Sequence, residues 1–296
     1  MKKNFATVTL CFIVALWGLS FSLTKPLLEN MGVFNFLAFR FVIGGFVLSL
    51  VLIVKKRFSF NKQILTDGII AGLLLFIVFF FHTLGLKYTT IPKNAFIVGS
   101  GVIFIPFIKI ILYKERQNRT TWLQVVFATL GLAFITLIDA SGGLNIGDIL
   151  SIIGTIIVAY YTIFIEKKIQ KHDALTFTAI QLQTIGVLSL VGMFALETPT
   201  LPVSTLGWIS VLLLGVLLTG IAYVLVNVCQ SRLDSLTVSI IYTLEPFFAA
   251  LFGWILLSEA IGTNTVYGGI LIFISMLIPT LHKRFNQKPE LAANKA

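Results

Sequence analysis

The sequence predicts an all-α integral membrane protein of ten transmembrane helices in two inverted five-helix repeats, and three observations carry that prediction. The 296 residues are 57% hydrophobic and only 11% charged, whereas soluble domains carry roughly 25% charged residues. The apolar residues gather into ten runs, each near the ~20 residues a helix needs to cross a ~30 Å hydrocarbon layer. The net charge of +10 falls almost entirely between those runs. Abundant apolar surface with little charge is the reverse of a disordered composition. Basic clusters at the ends of apolar runs are membrane flanks, not a nucleic-acid footprint. Cys11 and Cys229 each lie inside an apolar run, and neither belongs to a disulfide framework or a metal site, which would need more ligands at closer spacing.

The first run, residues 5–24, follows Met1-Lys2-Lys3 and so begins like a signal peptide. It is too long for the apolar core of one and ends without a small-x-small site, which makes it a retained first helix. Runs at 35–54, 65–84, 95–113 and 121–138 follow with short connections. The most turn-like stretch, 139–147, holds Gly142, Gly143, Asn145 and Gly147. Runs at 148–165, 175–196, 206–228, 236–256 and 265–281 complete the set. They are apolar on every face, which excludes the alternating ~10-residue segments of a membrane barrel. With five spans on each side of 139–147, homologous halves cross the membrane in opposite senses. Residues 1–140 form the first repeat, 145–283 the second, and 284–296 a cytoplasmic basic tail.

Orientation follows from the loops. Seventeen Lys and Arg residues fall in segments on the side of the N-terminus, and Lys25, Lys87 and Lys93 on the other. Basic residues concentrate on the cytoplasmic side, so both termini are expected in the cytoplasm of a cell whose inner membrane holds the protein. The halves also resemble one another. Ile105-Pro106-Phe107 precedes Glu115 much as Glu245-Pro246-Phe247 precedes Glu259, and a shift of 144 residues carries Glu115 onto Glu259. The prolines lie 140 apart instead, so helix geometry near them is expected to differ between the halves.

Ala15-Leu16-Trp17-Gly18 with Ser20, Phe21 and Lys25, then Phe39-Arg40-Phe41, then Asn94-Ala95-Phe96 with Gly99 and Pro106, and finally Glu245-Pro246 through Trp254 to Glu259 form an ordered set. In that order and spacing the chain resembles the EamA branch of the drug/metabolite transporter superfamily from about residue 8 to 281. The resemblance implies a ten-helix secondary transporter of two inverted repeats that exports amino acids or other small metabolites by alternating access. It implies a small-molecule cargo and no cofactor, and leaves the cargo open. The alternative is a non-transporting interaction or sensory subunit of the same fold. No phosphate-binding loop, zinc-protease helix or nucleophile elbow stands in the sequence, so an enzyme is not expected.

Charged groups within a bilayer each need a reason. Arg40, with its planar fork, suits a carboxylate or phosphate, or else ties helices together. Lys109 lies near a run end and is expected to snorkel to the interface. Glu245 lies near the middle of the ninth run beside a proline that can free backbone carbonyls; it is either a proton carrier or a structural partner of Arg40. His82 can titrate near neutrality or pack between helices. Asn94, Tyr160, Asn227 and Tyr242 complete the polar candidates for a substrate site, with Trp17 and Phe21 as aromatic walls. Gly68 and Gly72 read as a small-xxx-small contact between helices.

Overall fold

The computed structural model describes residues 2–56, 61–89, 91–136, 144–257 and 263–293, and every regular element among them is helical. Lipid supplies no partner for backbone N–H and C=O groups, so spans of this composition must satisfy them internally. The first half comprises α1 (Lys3–Asn30), α2 (Val33–Val54), α3 (Lys62–Tyr88), α4 (Ile91–Gly99), α5 (Gly101–Tyr113) and α6 (Arg119–Thr136). The second comprises α7 (Ile146–Lys168), α8 (Ala174–Leu196), α9 (Thr205–Leu212), α10 (Ala222–Gln230), α11 (Ser235–Tyr242), α12 (Glu245–Leu257) and α13 (Thr263–Ala293). A π-helical stretch, Leu213–Ile221, joins α9 to α10 without interrupting the rod.

Among the described residues, seven stretches are long and apolar enough to cross a membrane: Lys3–Asn30, Val33–Val54, Lys62–Tyr88, Asn94–Tyr113, Ile146–Lys171, Ala174–Leu196 and Thr205–Gln230. Ser235–Ala249 and Val266–Pro279 are shorter apolar helices. The chain is therefore a multi-pass membrane protein. Of the turn-like stretch, residues 139–143 lie outside the described residues, as does Glu259, whereas the segment read as a basic tail continues α13 as far as Ala293.

Two predicted runs are broken in mid-course. Between α4 and α5 the ladder turns at Ser100, whose hydroxyl bonds Ile97 O at 2.6 Å. Between α11 and α12 it turns at Thr243 and Leu244, with the Thr243 hydroxyl 2.6 Å from Ile240 O. Pro106 does not set the first break, whereas the second falls in the turn before Pro246, which cannot donate to the Tyr242 carbonyl four residues back. Pro106 lies inside α5, and Pro246 lies in the first turn of α12, where a missing N–H costs nothing. A shift of 144 residues carries the first residue of α4 onto that of α11, α5 from end to end onto α12, and the first residue of α6 onto that of α13. The expected difference in helix geometry between the halves is thus absent at the breaks, which fall at matching positions although the prolines do not.

The halves interlock rather than sit side by side: α2 packs on α8, α3 on α7 and α8, α1 on α12, α4 and α5 on α7, and α6 on α13. Gly68 and Gly72 of α3 lie against Ile180 and Thr184 of α8, the close contact their spacing predicted. On the α6–α13 face, Gln124 Nε2 donates to Ser275 O at 3.3 Å, and the Ser275 hydroxyl donates to Gln124 O at 2.8 Å. Gly131 meets Gly268 there so closely that a methyl on it would stand 2.6 Å from Gly268 O. The 144-residue shift exchanges these two contacts, Gln124 with Gly268 and Gly131 with Ser275.

One end of the bundle is ionic. Lys167 pairs with Glu115 at 2.7 Å, Lys168 with Asp67 at 2.9 Å, and His172 Nε2 with Asp67 at 2.9 Å. Lys109, expected to snorkel to the interface, pairs with Glu166 near the end of α7 at 3.0 Å. Asp234 caps α11 at this end by accepting from Thr237 N–H at 2.9 Å and the Thr237 hydroxyl at 2.8 Å. Burial pushes its carboxyl up, but the Thr237 bonds and Lys3 outweigh that and hold it below its ordinary value. The opposite end is held by neutral and single-charge contacts: Lys25 Nζ donates to Leu86 O and Thr89 O, and Glu197 accepts from the backbone of Phe34 and Asn35.

Gly131→Leu should lower the unfolding temperature in detergent by several degrees, corresponding to roughly 1–3 kcal/mol of overpacking. Gly101→Ala, whose added methyl meets its nearest neighbour, Thr155, at an ordinary 3.5 Å, should leave that temperature unchanged. Equal behaviour of the two variants would refute the close α6–α13 contact.

Candidate functional site

A cavity lined by residues of both halves lies inside the bundle. Trp17, Phe21, Arg40, His82, Asn94, Tyr242 and Glu245, seven of the nine residues singled out from the sequence, line it. Its walls extend along Ser20 and Thr24 of α1, Thr83 and Leu86 of α3, and Asn94 of α4. All of these lie toward the end of the bundle opposite the ion pairs.

Arg40 is positioned by a close crossing of α2 with the π-helical stretch. A methyl on Gly44 would stand 2.9 Å from Gly215 O, and one on Gly215 only 3.1 Å from Arg40 O. Backbones that approach so closely bring Thr219 Oγ1 within 2.8 Å of Arg40 Nε, which donates to it. Phe79 lies under the guanidinium at 4.9 Å from ring centroid to Cζ, with Phe41 at 5.7 Å and Phe36 at 6.0 Å. Such ring contacts compensate part of the cost of removing a cation from water. Nε is thus committed to Thr219, and the two terminal nitrogens form the face toward the cavity. A π-helical insertion at a functional position is a recurrent arrangement, and here it also leaves Leu218 O to accept from Trp17 Nε1 at 2.8 Å.

Glu245 opens α12, where the positive end of the helix favours a carboxylate. Arg40 and Glu245 both face the cavity, yet among the described residues no ion pair within 4 Å joins them. The direct pairing held open from the sequence is therefore not made: Arg40 is satisfied by Thr219 and its rings. Trp17, fixed through its indole nitrogen, offers only its ring face, 5.4 Å from Tyr223 and 5.7 Å from Tyr242 between centroids. Phe79 stands 6.1 Å from Tyr223. Arg40 and Glu245 are thus set into an aromatic lining.

His82 lines the cavity and packs on α7 where Gly154 leaves room for its ring. Its Nε2 is 3.3 Å from Thr155 Oγ1, which gives its own proton to Ser151 O at 2.8 Å, so Nε2 is the donor. Asn94 Nδ2 donates to Ser151 Oγ at 2.8 Å. Tyr160 and Asn227 do not reach the cavity. Tyr160 stands beside Tyr113, and Asn227 donates to Thr178 Oγ1 at 2.8 Å and Gln181 Oε1 at 3.1 Å. Gln181 in turn donates to the hydroxyl of Tyr161, a cavity residue, at 2.6 Å. Tyr223, Phe79 and Thr219 were not singled out beforehand. The i, i+4 series Thr219, Tyr223, Asn227 marks one helical face and was the available signal.

Comparison with known proteins places this geometry in context. Two successive stretches, residues 5–137 and 145–281, match the EamA-like transporter family. A protein of Archaeoglobus fulgidus named as an uncharacterized transporter is 28% identical over 284 residues, covering 95% of this chain and 87% of its own. An S-adenosylmethionine/S-adenosylhomocysteine transporter of Chlamydia muridarum is 25% identical over 300 residues, covering 92% of this chain and 90% of its own. A crystal structure at 18% identity superposes with a TM-score of 0.77 over 95% of this chain and 97% of that one, a shared fold.

Thr219→Val removes the acceptor of a buried guanidinium N–H without changing side-chain volume much. We expect a loss of roughly 1–3 kcal/mol, read as a lower unfolding temperature in detergent. Thr219→Ser, which keeps the hydroxyl, should recover most of it. A neutral Thr219→Val would show that Arg40 is held by its rings alone.

Proposed function

We propose, from the premise that the chain belongs to the EamA-like transporter family, that it is a secondary transporter that moves a small metabolite of amino-acid type across the cytoplasmic membrane by alternating access. Its architecture is ten membrane helices in two inverted five-helix repeats. The 144-residue shift that matches α4, α5 and α6 to α11, α12 and α13 supports that plan, as do the exchanged contacts of Gln124 with Ser275 and Gly131 with Gly268. Both termini are cytoplasmic, in keeping with the Lys and Arg distribution. The ionic end of the bundle then faces the cytoplasm, and the cavity extends toward the outside.

The observation that carries the cargo class is a cavity with an unpaired guanidinium face on one wall, a carboxylate on another, and aromatic rings between. A planar guanidinium engages a carboxylate through two N–H groups. Glu245 is suited to an ammonium, and the rings to an apolar body or a soft cation. An α-amino acid or a derivative that keeps both groups presents those features together. The cargo named for the Chlamydia relative is of that class. Export is the direction implied by the family resemblance.

The test is counterflow in proteoliposomes with amino acids, their decarboxylated amines and their deaminated acids. The wild type should prefer the intact amino acid by roughly 10–100-fold, since a site built around a polar group rejects ligands that lack it. Arg40→Gln should abolish the preference over the amine, and Glu245→Gln the preference over the deaminated acid. Equal loss of all three ligands in both variants would overturn the assignment of the two charges to the two ends of the cargo.

A further inference from the structure

The cavity is symmetric only at its centre. Under the 144-residue shift four lining pairs coincide: Trp17 with Tyr161, Phe79 with Tyr223, Val98 with Tyr242, and Gly101 with Glu245. Beyond that centre the lining reaches further on one side, through Thr24, Thr83, Leu86 and Asn94, than toward the ionic end, where it stops at Leu75, Thr162 and Ser239. The positions these four map onto, Lys168, Asn227, Gln230 and Val238, lie at the ionic end of the bundle. Asn227, Gln230 and Val238 are each at most 1% exposed, and Lys168 is engaged by Asp67.

A second observation, independent of the shift, falls on the same residues. Asn227 Oδ1, both polar atoms of the Gln230 side chain, and Ser235 Oγ are buried without a hydrogen-bond partner. Buried polar side-chain atoms are nearly always paired, and leaving them unpaired carries a desolvation penalty. Asn227 and Gln230 are three apart on α10 and so share a face. Asn227 connects through Gln181 to Tyr161 on the cavity wall. Ser235 begins α11 next to Asp234 at the ionic end. The unpaired atoms therefore mark a seam from the cavity wall to that end of the molecule. Apolar side chains would close such a seam more stably, so polar ones are accounted for by a second state in which water or cargo reaches them.

We infer that the route between the cavity and the ionic face runs along Asn227 and Gln230, with Ser235 at its mouth, and that Lys168 held by Asp67 closes it in the conformation described. This inference rests on the alternating-access reading above. Asp67 is nearly buried and also bonds His172 Nε2, so it joins the end of α7 and the turn before α8 to the start of α3. Opening the route separates Lys168 from Asp67 and hydrates the Gln230 amide. By the same mapping, Thr83 and Leu86 line the route on the other face, which is open toward the cavity here.

The test uses the full chain with Cys11→Ser and Cys229→Ser and single cysteines introduced by Thr83→Cys, Leu86→Cys, Asn227→Cys and Gln230→Cys. Each is exposed to a charged, membrane-impermeant thiosulfonate in intact cells and in inside-out vesicles. Cysteines at 83 and 86 should react from one face, and those at 227 and 230 from the other. Lys171→Cys, at an exposed position of the ionic end, is the control for access from that side. Asp67→Asn should raise the labelling rate at position 230 by roughly threefold or more, as expected when a state held shut by one ion pair becomes more populated. Positions 227 and 230 unreactive from both faces while position 171 reacts, or reactive from the same face as 83 and 86, would overturn the route. An unchanged rate with Asp67→Asn would overturn the closing role of the ion pair. Labelling needs no cargo: opposite-face reactivity without amino-acid flux would refute the cargo class and leave the route standing, and flux with 227 and 230 always buried would do the reverse.

Discussion

A polar group inside a lipid-embedded bundle must find a partner within the protein or a way to water. Much of this structure follows from that constraint. Arg40 is the severest case, because its cation cannot be discharged by losing a proton at any ordinary pH. Its solution shapes three helices at once. Gly44 and Gly215 let α2 and the π-helical stretch come together, the stretch presents Thr219 to Nε, and three phenyl rings cover what Thr219 leaves. The same π-helical stretch offers Leu218 O to Trp17, and the ring so fixed forms a wall of the cavity. Site and packing are here one arrangement.

The helical, membrane-spanning character of the chain was legible in the sequence, because a run of ~20 mostly apolar residues has almost no alternative to a spanning helix, and seven such stretches stand among the described residues. The interruptions were legible only in part. Pro246 marks the break at Thr243-Leu244 in the turn before it, but Pro106 does not mark the one at Ser100; at both, short side-chain hydroxyls bond the preceding turn. Hydroxyls competing for backbone carbonyls bend helices in lipid, but Ser and Thr are scattered throughout this chain and single out no one place. What the two breaks share is tertiary: residues on either side of each line the cavity, and a carbonyl freed there can reach polar surroundings that lipid would not supply.

The candidate site was legible to the extent that charge in an apolar run is conspicuous. Arg40, His82 and Glu245 stand out by cost alone, and Asn94 by polarity. Asn227 stood out for the same reason and yet supports Tyr161 from behind through Gln181. Polarity marks a residue as needing a partner and does not say whether that partner is a ligand or a neighbouring helix. Tyr223 and Phe79 escaped because an aromatic residue in an apolar run costs nothing. Lys109 shows the complementary gap: its place near a run end was legible, but its partner, Glu166, lies on another helix and was not.

The two charges at the centre are distributed unequally between the halves, and that has a mechanical consequence. At the position of Glu245 the first half carries Gly101, and at the position of Arg40 the second half carries Thr184. One half thus supplies the guanidinium and the other the carboxyl group. Under the alternating access proposed above, any movement of α2 relative to α12 changes the span between Arg40 and Glu245. A cargo held at both ends then binds one arrangement better than another, and a ligand shifts a conformational equilibrium only by such differential affinity. Had both charges stood on one half, cargo would ride with that half and its binding would be indifferent to the movement. Under that proposal, placing them on different helices would tie occupancy of the cavity to the arrangement of the bundle.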